Sequence, residues 1–361
     1  MNELEKAREI INQVDKEMAS LFEKRMYAAE LVAKYKKEHG LSILDEAREK
    51  EVVAKNSSLV KNAVYKEYYA EFIKEMMSLS RSYQSRLNEG VKVAYSGVVG
   101  AYAYIAAKKM YPKATLVPYG DFESAYKAVE NGECDICVLP IENSYAGDVS
   151  TVMDLMFSGT LYVNQVLNLP ISHCLLVNDG VDLKDVKTVI SHPQALSQCA
   201  SYIKEMGFEI RAYENTALGA EYIKKNNLMD TAAIASEETA DIFGLKVMAK
   251  GINASRTNTT RFVAFSRARN NVSGKKMGQN FILMFTVKNE AGALAKTIDI
   301  IGAFGFNMRN LHSRPMKELL WSYYFYVEAE GDVNSPNGQD MLRALGATCD
   351  KLKLVGTYIS E

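Results

Sequence analysis

The sequence predicts a multidomain protein: an all-α segment, then an α/β region of two lobes, then a small α+β unit. Three observations predict this fold class. Residues 3–87 carry apolar side chains at helical spacing throughout. After Gly90, short β-rich runs alternate with helices, which is typical of a mostly parallel α/β sheet. Beyond a polar, glycine-containing stretch at 269–279, the predicted order of elements is βαββαβ, as in ferredoxin-like units.

The domain boundaries follow from these changes of pattern. A helical domain covers residues 1–88, an α/β domain 91–268, a linker 269–279 and a C-terminal domain 280–361. A chain of 361 residues has the length for two or three domains.

The helical domain is predicted to hold three helices of unequal length, over 3–37, 44–55 and 59–86. A break at His39-Gly40 ends the first helix, and Asn56-Ser57-Ser58 ends the second. The first helix carries a wide apolar face that the two other helices cannot cover alone. The sequence therefore predicts that this domain forms an intertwined dimer.

Three basic residues, Arg8, Arg25 and Lys36, lie within the apolar stripes of the first helix. A cation that faces a core is costly unless an anion meets it, and Asp15 can serve only one of the three. Arg25 and Lys36 point within about 20° of each other and lie about 16 Å apart along the axis. If the two long side chains lean towards each other, they leave a gap of roughly a few ångströms, which suits a compact polycarboxylate. Arg8 could reach that gap only from an antiparallel partner helix. The alternative is that these side chains extend to water from the helix edges.

The α/β domain is predicted to contain two sets of alternating elements. The first set has strands at 91–97, 115–119 and 135–140, and helices at 100–110, 122–131 and 148–158. Consecutive strands follow at 161–170 and 171–177. The second set has strands at 187–192, 208–214 and 231–236, helices at 194–206, 217–226 and 237–243, and a final strand at 260–267. Two lobes joined by strands imply a cleft, which is a usual place for a ligand.

The C-terminal domain has its elements in βαββαβ order. They are strand 280–288, helix 292–304, strands 306–314 and 319–329, helix 337–347 and strand 351–358. Glycine at the first strand–helix turn and proline after the second strand mark the two connections.

The composition argues against several classes of function, namely binding to nucleic acids, membranes, metals or cofactors. The chain is 48% hydrophobic and 24% charged with a formal charge of −1, so no basic excess predicts nucleic-acid or membrane-surface binding. No signal region and no run of transmembrane length occurs, which predicts a cytoplasmic protein. Five scattered cysteines do not suggest disulfides, and the Cys134–Cys137 pair has no second Cys or His pair beside it. With no Walker loop either, neither a metal nor a cofactor is predicted.

The second and third helices carry polar residues that, with the basic residues of the first, make a recognisable set. Asp45, Arg48 and Glu49 share one helix face, and Ser80 and Gln84 share another. The order of residues and their spacing along each helix resemble the AroQ-class chorismate mutases over nearly all of 3–87. The complete set is Arg8, Arg25, Lys36, Asp45, Arg48, Glu49, Ser80 and Gln84.

This resemblance implies the rearrangement of chorismate to prephenate. It implies that Arg25 and the Arg8 of another protomer hold the two carboxylates, and that Lys36 and Gln84 act at the ether oxygen, where negative charge grows. The remaining members of the set bind or orient the ring hydroxyl and its neighbours; they are Asp45, Arg48, Glu49 and Ser80.

Four segments of the α/β domain resemble prephenate dehydratase over about 91–268. They are PIENS at 140–144, HCLL at 173–176, SHPQALSQC at 191–199 and NTTRF at 258–262. The resemblance implies loss of water and CO2 from prephenate, with Thr260 as the catalytic residue. Arg261 holds a carboxylate or is structural, and the proton donor is left open. The predicted polar lining of the cleft is Glu142, Asn143, Ser191, Gln198 and Glu214.

The first strand–helix loop departs from the dehydratase pattern. Family members have proline after the first glycine and a hydroxyl residue after the aromatic one, where this chain has Val98 and Ala103. Gly97 and Gly100 are retained and can still bring backbone N–H groups to an anion. The departure predicts weaker binding or turnover of prephenate if that hydroxyl contacts the substrate.

Two short segments of the C-terminal domain resemble the GAL and ESRP segments of ACT regulatory domains. They are Gly292-Ala293-Leu294 and Ser313-Arg314-Pro315, with His312 in place of the usual glutamate. The resemblance implies that L-phenylalanine binds between paired domains and inhibits the enzyme, and His312 is expected to change that affinity.

Together, these patterns predict a bifunctional enzyme of phenylalanine biosynthesis that converts chorismate to prephenate and then to phenylpyruvate. The chain would act as a homodimer or a larger homo-oligomer. Two alternatives are a chorismate mutase with weakened dehydratase activity and a non-catalytic small-molecule sensor. The sensor leaves the cations of the first helix unexplained.

Overall fold

This computed structural model describes residues 2–255, 257–270, 278–316 and 322–359. Most of the predicted linker and the start of the predicted strand at 319–329 lie outside the described residues. The chain divides into two compact units: Met1–Lys92 with Gly132–Asp135, and Val93–Asn131 with Ile136–Glu361.

The first unit contains the three predicted helices, α1 Glu3–Glu38, α2 Glu46–Ser58 and α3 Ala63–Glu89. Asn2, Asp45 and Asn62 cap their N-termini through side-chain oxygens. The predicted end of α2 at residue 55 is wrong. Asn56 and Ser58 donate hydrogen bonds from their side chains to the carbonyls of Val52 and Lys55, and the helix continues through them.

The long face of α1 is largely uncovered within one chain. Ala29 and Ala33 are the buried residues of α1, and α3 packs against that end of the helix. Nearer the N-terminus of α1, the exposed fraction is 58% for Leu4, 47% for Val14 and 62% for Leu21. The three helices of one chain therefore leave most of the predicted apolar face in contact with solvent.

The second unit contains two sheets. Its strands are β1 Lys92–Ser96, β2 Thr115–Tyr119, β3 Ile136–Asn143, β4 Gly147–Asp148, β5 Tyr162–Pro170, β6 Cys174–Val177, β7 Thr188–Ser191, β8 Glu209–Ala212, β9 Thr231–Ala235, β10 Lys246–Ala249, β11 Thr259–Ser266, β12 Gln279–Thr286, β13 Asn307–Pro315, β14 Tyr323–Glu330 and β15 Lys351–Ile359. The helices are α4 Tyr102–Met110, α5 Phe122–Glu130, α6 Ser150–Ser158, α7 Pro193–Gln198, α8 Ala200–Met206, α9 Thr216–Lys225, α10 Glu237–Phe243, α11 Ala293–Ala303 and α12 Pro336–Thr348.

One sheet has the order β13-β14-β12-β15-β5-β11-β3-β1-β2 with β4 paired to β3, and the other has the order β10-β6-β9-β7-β8. The two sheets define the two predicted lobes. β5 and β6 are consecutive, as predicted, but they belong to different sheets because the chain crosses between lobes at 171–173. It returns through 250–258 and adds β11 to the first lobe. The two crossings are bonded to each other, since the Ile171 N–H donates to the Asn258 carbonyl at 2.8 Å.

Three details of the α/β prediction are corrected. The larger sheet is mixed rather than mostly parallel, because β3 pairs parallel with β1 and antiparallel with β11. The predicted helix at 194–206 is two helices that meet at Cys199. No strand was predicted at β4 or β10, which have two and four residues.

The C-terminal module, defined here as residues 279–359, has the predicted βαββαβ order. Its own core lies between the sheet and α11 and α12, and includes Phe281, Phe285, Val327 and Met341. The module continues the sheet of the first lobe, since β15 pairs parallel with β5 at Gly356 and Val163.

Candidate functional site

Seven of the eight polar residues predicted for the helical domain line one cavity of about 130 Å³, here called the helical cavity. Val32, Ile43, Met77 and Arg81 complete its walls. The seven come from all three helices, namely Arg25, Lys36, Asp45, Arg48, Glu49, Ser80 and Gln84. Arg8 is exposed and lies outside this lining.

Two cations of the helical cavity, Arg25 and Lys36, are held by neutral oxygens, whereas Arg48 and Arg81 pair with the carboxylates of Glu51 and Glu49. Arg25 donates to the Ser80 hydroxyl and to the Met76 carbonyl at 3.4 Å. Lys36 donates to the Ile43 carbonyl at 2.6 Å. Burial lowers the pKa of Arg25. An anionic ligand would supply the countercharge that these contacts lack.

Two features of the helical cavity, at Gln84 and Arg81, were not predicted from residue spacing. Gln84 is buried, and its side-chain oxygen has no hydrogen-bond partner among the described residues. Arg81, which was not predicted, pairs with Glu49 across α3 and α2. Its place three residues before Gln84, on the same helix face, is the signal that could have found it.

A second cavity of about 540 Å³, here called the interlobe cleft, lies between the two sheets. Four predicted residues line it: Asn143, Gln198, Glu214 and Thr260. Other polar side chains in its wall were not predicted as site residues: Tyr102, Asp148, His173, His192, Gln194, Asn215 and Thr216. His173 begins the HCLL segment at 173–176, which resembles prephenate dehydratase, but no role was predicted for this residue.

A chain of hydrogen bonds connects the two lobes beneath the cleft. Asn143 donates to the Thr260 hydroxyl oxygen at 2.9 Å and to the Asn258 side chain at 2.8 Å. Asn258 donates to Gln198 at 3.1 Å, and His173 Nε2 lies 2.8 Å from the same Gln198 oxygen. Because Thr260 accepts from Asn143, its own proton is free to point elsewhere.

Burial fixes the protonation states of His173 and Tyr102, at the far end of this hydrogen-bond series. Desolvation lowers the pKa of His173, and its hydrogen bond with Gln198 only partly opposes that shift. The imidazole is therefore neutral near pH 7, and Nε2 donates its proton to the Gln198 oxygen. Tyr102 contacts the other ring nitrogen at 3.2 Å, and desolvation raises the pKa of this tyrosine well above its ordinary value.

Two residues predicted to line the cleft, Ser191 and Glu142, do not line it, and neither does Arg261, which was predicted either to hold a carboxylate or to be structural. Ser191 is fully buried, and its hydroxyl donates to the Ile234 carbonyl at 2.6 Å. Glu142 and Arg261 lie in a separate cavity of about 480 Å³. They directly neighbour Asn143 and Thr260 on β3 and β11, and successive side chains of a strand point to opposite faces of the sheet.

The first loop of the cleft has the geometry that its glycines require. Gly97 and Gly100 have φ values of 99° and 87°, in the left-handed region that favours glycine. α4 then begins at Tyr102 with its N-terminus at the cleft, and no side chain caps it. Ala103, in the first turn, lines the cleft with a methyl group.

Arg261 is instead bound to the C-terminal module. It donates to both carboxylate oxygens of Glu328, at 2.6 Å to Oε2, and to the Tyr358 hydroxyl at 2.6 Å. Burial opposes the charge on Arg261, but the hydrogen bonds and charge of Glu328 outweigh it, so the pKa of Arg261 is raised.

The two predicted effector segments do not line one cavity together within one chain. Gly292 caps α11 with φ 82°, and Leu294 lines a cavity of about 470 Å³ with Lys288, Met316 and Phe325. Ser313, Arg314 and Pro315 lie on β13 and are not part of that lining. Arg314 donates to the Tyr324 hydroxyl at 3.0 Å.

His312 and two carboxylates form one group whose spacing would suit a metal ion. The ligand atoms of Glu142, Asp148 and His312 lie within 4.8 Å of one another. His312 Nδ1 already lies 2.7 Å from Asp148, so the pair is satisfied without an ion. The absence of a metal thus stays a prediction.

Two family models match the regions of the chain that contain the helical cavity and the interlobe cleft. The family model for chorismate mutase type II matches residues 7–85, and the model for prephenate dehydratase matches residues 93–270. The chain is therefore an enzyme with a chorismate mutase domain followed by a prephenate dehydratase domain.

Full-length relatives make the family more specific. The bifunctional chorismate mutase/prephenate dehydratase of Buchnera aphidicola subsp. Acyrthosiphon pisum is 30% identical over 369 residues, which cover 98% of this chain and 96% of that protein. The chain belongs to the family of bifunctional chorismate mutase/prephenate dehydratases.

Two further similarities cover the second unit. The chloroplastic arogenate dehydratase/prephenate dehydratase 2 of Arabidopsis thaliana is 35% identical over 277 residues, 74% of this chain and 72% of that protein. The crystal structure of a prephenate dehydratase from Arthrobacter aurescens in complex with L-Phe is 26% identical with a TM-score of 0.69, and covers 75% of this chain and 90% of that chain. Within the described residues, no helix has the length and apolar character needed to span a membrane.

Proposed function

We propose that the helical cavity binds chorismate and that the predicted residues act there in the roles their family resemblance implies. The observation that carries this proposal is the convergence of seven predicted side chains from three helices on one cavity. The rearrangement is pericyclic and needs no nucleophile. The residues therefore hold a compact conformer and stabilise the charge that separates in the transition state.

Lys36 and Gln84 would act at the ether oxygen of chorismate. Lys36 supplies a positive charge, and the side-chain amide N–H2 of Gln84, which lines the same cavity, would donate a hydrogen bond. Arg25 would bind a carboxylate in place of the Ser80 hydroxyl. We expect Lys36→Ala to abolish mutase turnover and leave the helical content unchanged, and a near-normal kcat would reject this assignment.

The second carboxylate would be held by Arg8 of another protomer, across an intertwined dimer. Arg8 is exposed in the single chain, and so is much of the apolar face of α1 on which it lies. Burying that face against a second copy would bring Arg8 towards the helical cavity of its partner.

Complementation between inactive variants tests this shared site. Arg8→Ala and Arg25→Ala should each lose mutase activity as homodimers. After mixing and reassembly, about one quarter of the native kcat should return, since half of the dimers are mixed and each holds one complete site. No recovery in a mixture that has exchanged subunits would show that Arg8 acts within its own chain or not at all.

In the interlobe cleft, we propose that Thr260 donates a hydrogen bond to the ring hydroxyl of prephenate as it leaves. The Thr260 oxygen accepts from Asn143, which leaves the threonine proton for the substrate. As the C–O bond breaks, the hydroxyl takes a proton through the Thr260 hydroxyl, which is replenished from solvent, and leaves as water. The electrons of the bond to the ring carboxylate form a ring double bond, the adjacent double bond shifts towards the carbon that loses the hydroxyl, and CO2 departs. Backbone N–H groups of the Gly97–Gly100 loop and the start of α4 would hold a carboxylate.

Two substitutions of Thr260 test the role of its hydroxyl. Thr260→Ala should lower the dehydratase kcat by about a hundredfold or more, because a positioned donor contributes that much. Thr260→Ser keeps the hydroxyl and should retain most activity. Similar kinetics for both variants would exclude the hydroxyl, and the mutase rate of the same chains serves as the internal control.

The C-terminal module is proposed to be an ACT domain that binds L-phenylalanine between paired modules. Its βαββαβ order, the residues Gly292-Ala293-Leu294 and Ser313-Arg314-Pro315, and the L-Phe complex of the similar Arthrobacter aurescens enzyme support this. Because Ser313, Arg314 and Pro315 do not share the cavity that Leu294 lines in one chain, we propose that the second copy brings the two segments together. Calorimetric titration with L-phenylalanine, beside a dehydratase assay, tests binding and inhibition separately.

Incubation with chorismate examines the whole proposal. Phenylpyruvate as the product means that both sites work, prephenate alone means a weak or inactive dehydratase, and unchanged chorismate means a sensor. The proposed enzyme is cytoplasmic and needs no cofactor, so dialysis against a chelator should leave both rates unchanged.

A further inference from the structure

One face of β14 connects the effector segment to the strand that carries Thr260. Tyr324, Tyr326 and Glu328 occupy alternate positions of this strand, so their side chains share a face. All three are almost fully buried, with exposed fractions of 2%, 1% and 2%. The opposite face, with Phe325, Val327 and Ala329, packs in the core of the C-terminal module.

Tyr324 begins this row at the effector segment. Its hydroxyl accepts a hydrogen bond from Arg314 at 3.0 Å and donates one to Asp154 of α6 at 2.7 Å. Its ring stacks on Phe157 of the same helix, with centroids 4.5 Å apart. A movement of Arg314 would therefore act directly on Tyr324.

Tyr326 is the middle of the row. Its ring lies edge-on to His312, with centroids 6.0 Å apart, and its hydroxyl donates to Glu328 Oε2 at 3.2 Å. His312 immediately precedes the effector residues Ser313-Arg314-Pro315 and is paired with Asp148, which lines the interlobe cleft.

Glu328 ends the row at the dehydratase domain. It makes a two-point ion pair with Arg261, whose side chain is only 19% exposed. A buried charge that loses its partner is strongly destabilised, so the two side chains are held together. Arg261 directly follows Thr260 on β11, so a shift of the Arg261 backbone also moves the backbone of Thr260. Asn143 pairs with Thr260 across the ladder, so the catalytic hydrogen bond lies within the same register.

We propose that Glu328 is a positioning residue for the dehydratase reaction, and that the row Tyr324–Tyr326–Glu328 carries the effector state to Thr260 through Arg261. This inference rests on the proposed roles of Thr260 and of L-phenylalanine. Binding of the effector at Ser313-Arg314-Pro315 would shift the row, and Arg261 would move Thr260 relative to Asn143. Coupling of this kind needs a contiguous set of contacts. From the effector segment, His312 contacts Tyr326, Tyr326 donates to Glu328, and Glu328 pairs with Arg261. Tyr324 belongs to the row through its bond with Arg314 and its place on the same strand face.

The test uses Glu328→Gln in the full-length chain, with Glu330→Gln as the matched control. Glu330 lies two residues further along the same strand, but it is more exposed and pairs with Arg309 at the sheet edge. In Glu328→Gln, we expect the dehydratase kcat to fall about threefold or more, with KM for prephenate within about twofold. The maximal inhibition at saturating L-phenylalanine should fall to about half of the native value or less, although its dissociation constant, measured by calorimetry, stays within about twofold.

Glu330→Gln should behave as the native chain in every reading, and the mutase kcat should be native in both variants. Native dehydratase kcat together with native inhibition in Glu328→Gln would overturn the proposal. If both activities are lost, Tyr326→Phe, which removes only the hydroxyl bound to Glu328, is judged by the same two readings. A native chain that neither binds nor responds to L-phenylalanine would reject the proposed effector, whereas the kcat of Glu328→Gln would still decide the positioning role.

Discussion

Asn143 donates to the Thr260 hydroxyl oxygen, so the threonine proton must be directed to another acceptor. This single contact converts a weak acid into an oriented donor. The Asn143 amide also donates to Asn258, which donates to Gln198, and Gln198 is bonded to His173. Sequence spacing does not predict that these residues are connected. Residues far apart in the chain meet here because the two lobe crossings are bonded to each other.

His173 makes the second unit sensitive to acid. Burial lowers its pKa below the usual 6.5, so the unfolded chain binds a proton at a higher pH than the folded chain does. The free energy of unfolding therefore falls as the pH drops through about 6.5 towards the lowered value in the folded state, and the effect is absent at higher pH. We expect His173→Gln to flatten this acid slope in urea unfolding measured across pH. His192→Asn, at an exposed position, should keep the native slope, and equal slopes for His173→Gln and the native chain would contradict the prediction.

Ala103 is the residue at which the cleft departs from the family pattern. Its methyl group lines the cleft in the first turn of α4. Ala103→Ser places a hydroxyl there, and we expect the KM for prephenate to fall about threefold through one added hydrogen bond. Steady-state assays with prephenate measure this, and the KM for chorismate should not change. An unaltered prephenate KM would mean that the missing hydroxyl does not weaken binding.

Strand alternation decides which predicted residues reach the cleft. On β3 and β11, Asn143 and Thr260 face the cleft, so their neighbours Glu142 and Arg261 must face the other side of the sheet. The motifs at 140–144 and 258–262 hold both kinds of residue, and their family resemblance does not separate them. One side of each motif lines the cleft, and the other side, at Arg261, contacts the C-terminal module.

At the junction of β15 and β5, the two strands approach so closely that only glycine fits. A Cβ atom on Gly356 would lie 1.9 Å from the Val163 carbonyl oxygen. We expect Gly356→Ala to lower the free energy of unfolding by about 1–3 kcal/mol, since the backbone must move to accept the methyl group. Thermal unfolding followed by circular dichroism measures the change.

The control for that junction is Gly346→Ala on α12. A Cβ atom there meets nothing within 4 Å, so alanine should be neutral or stabilise the helix by up to about 1 kcal/mol. An equal loss of stability in both variants would show that the junction is not specific, and no loss in Gly356→Ala would show that the strands can separate without cost.

For the whole molecule, the uncovered face of α1 predicts the oligomeric state. Leu4, Val14, Met18 and Leu21 are each more than 40% exposed in one chain. Met18→Asp places a charge on this face, and we expect it to dissociate the proposed dimer and remove mutase activity, because the proposed shared site would lose Arg8 of the other protomer.

Light scattering beside both activity assays measures that outcome. Lys16→Asp, which reverses a charge on the polar side of α1, is the matched control and should remain dimeric and active. A Met18→Asp chain that stays dimeric with native mutase activity would place the interface elsewhere.

The sequence by itself determined the helical, α/β and βαββαβ character of successive segments, the order of nearly all their elements and seven polar residues of the helical cavity. Helical spacing puts side chains on one face whatever the surroundings, so the positions of Arg25, Lys36, Ser80 and Gln84 could be predicted locally. Tertiary structure alone decided the hydrogen-bond chain behind Thr260, the burial of Ser191 and the pairing of Arg261 with Glu328. These depend on which distant strands become neighbours in a sheet, and local patterns carry no record of that choice.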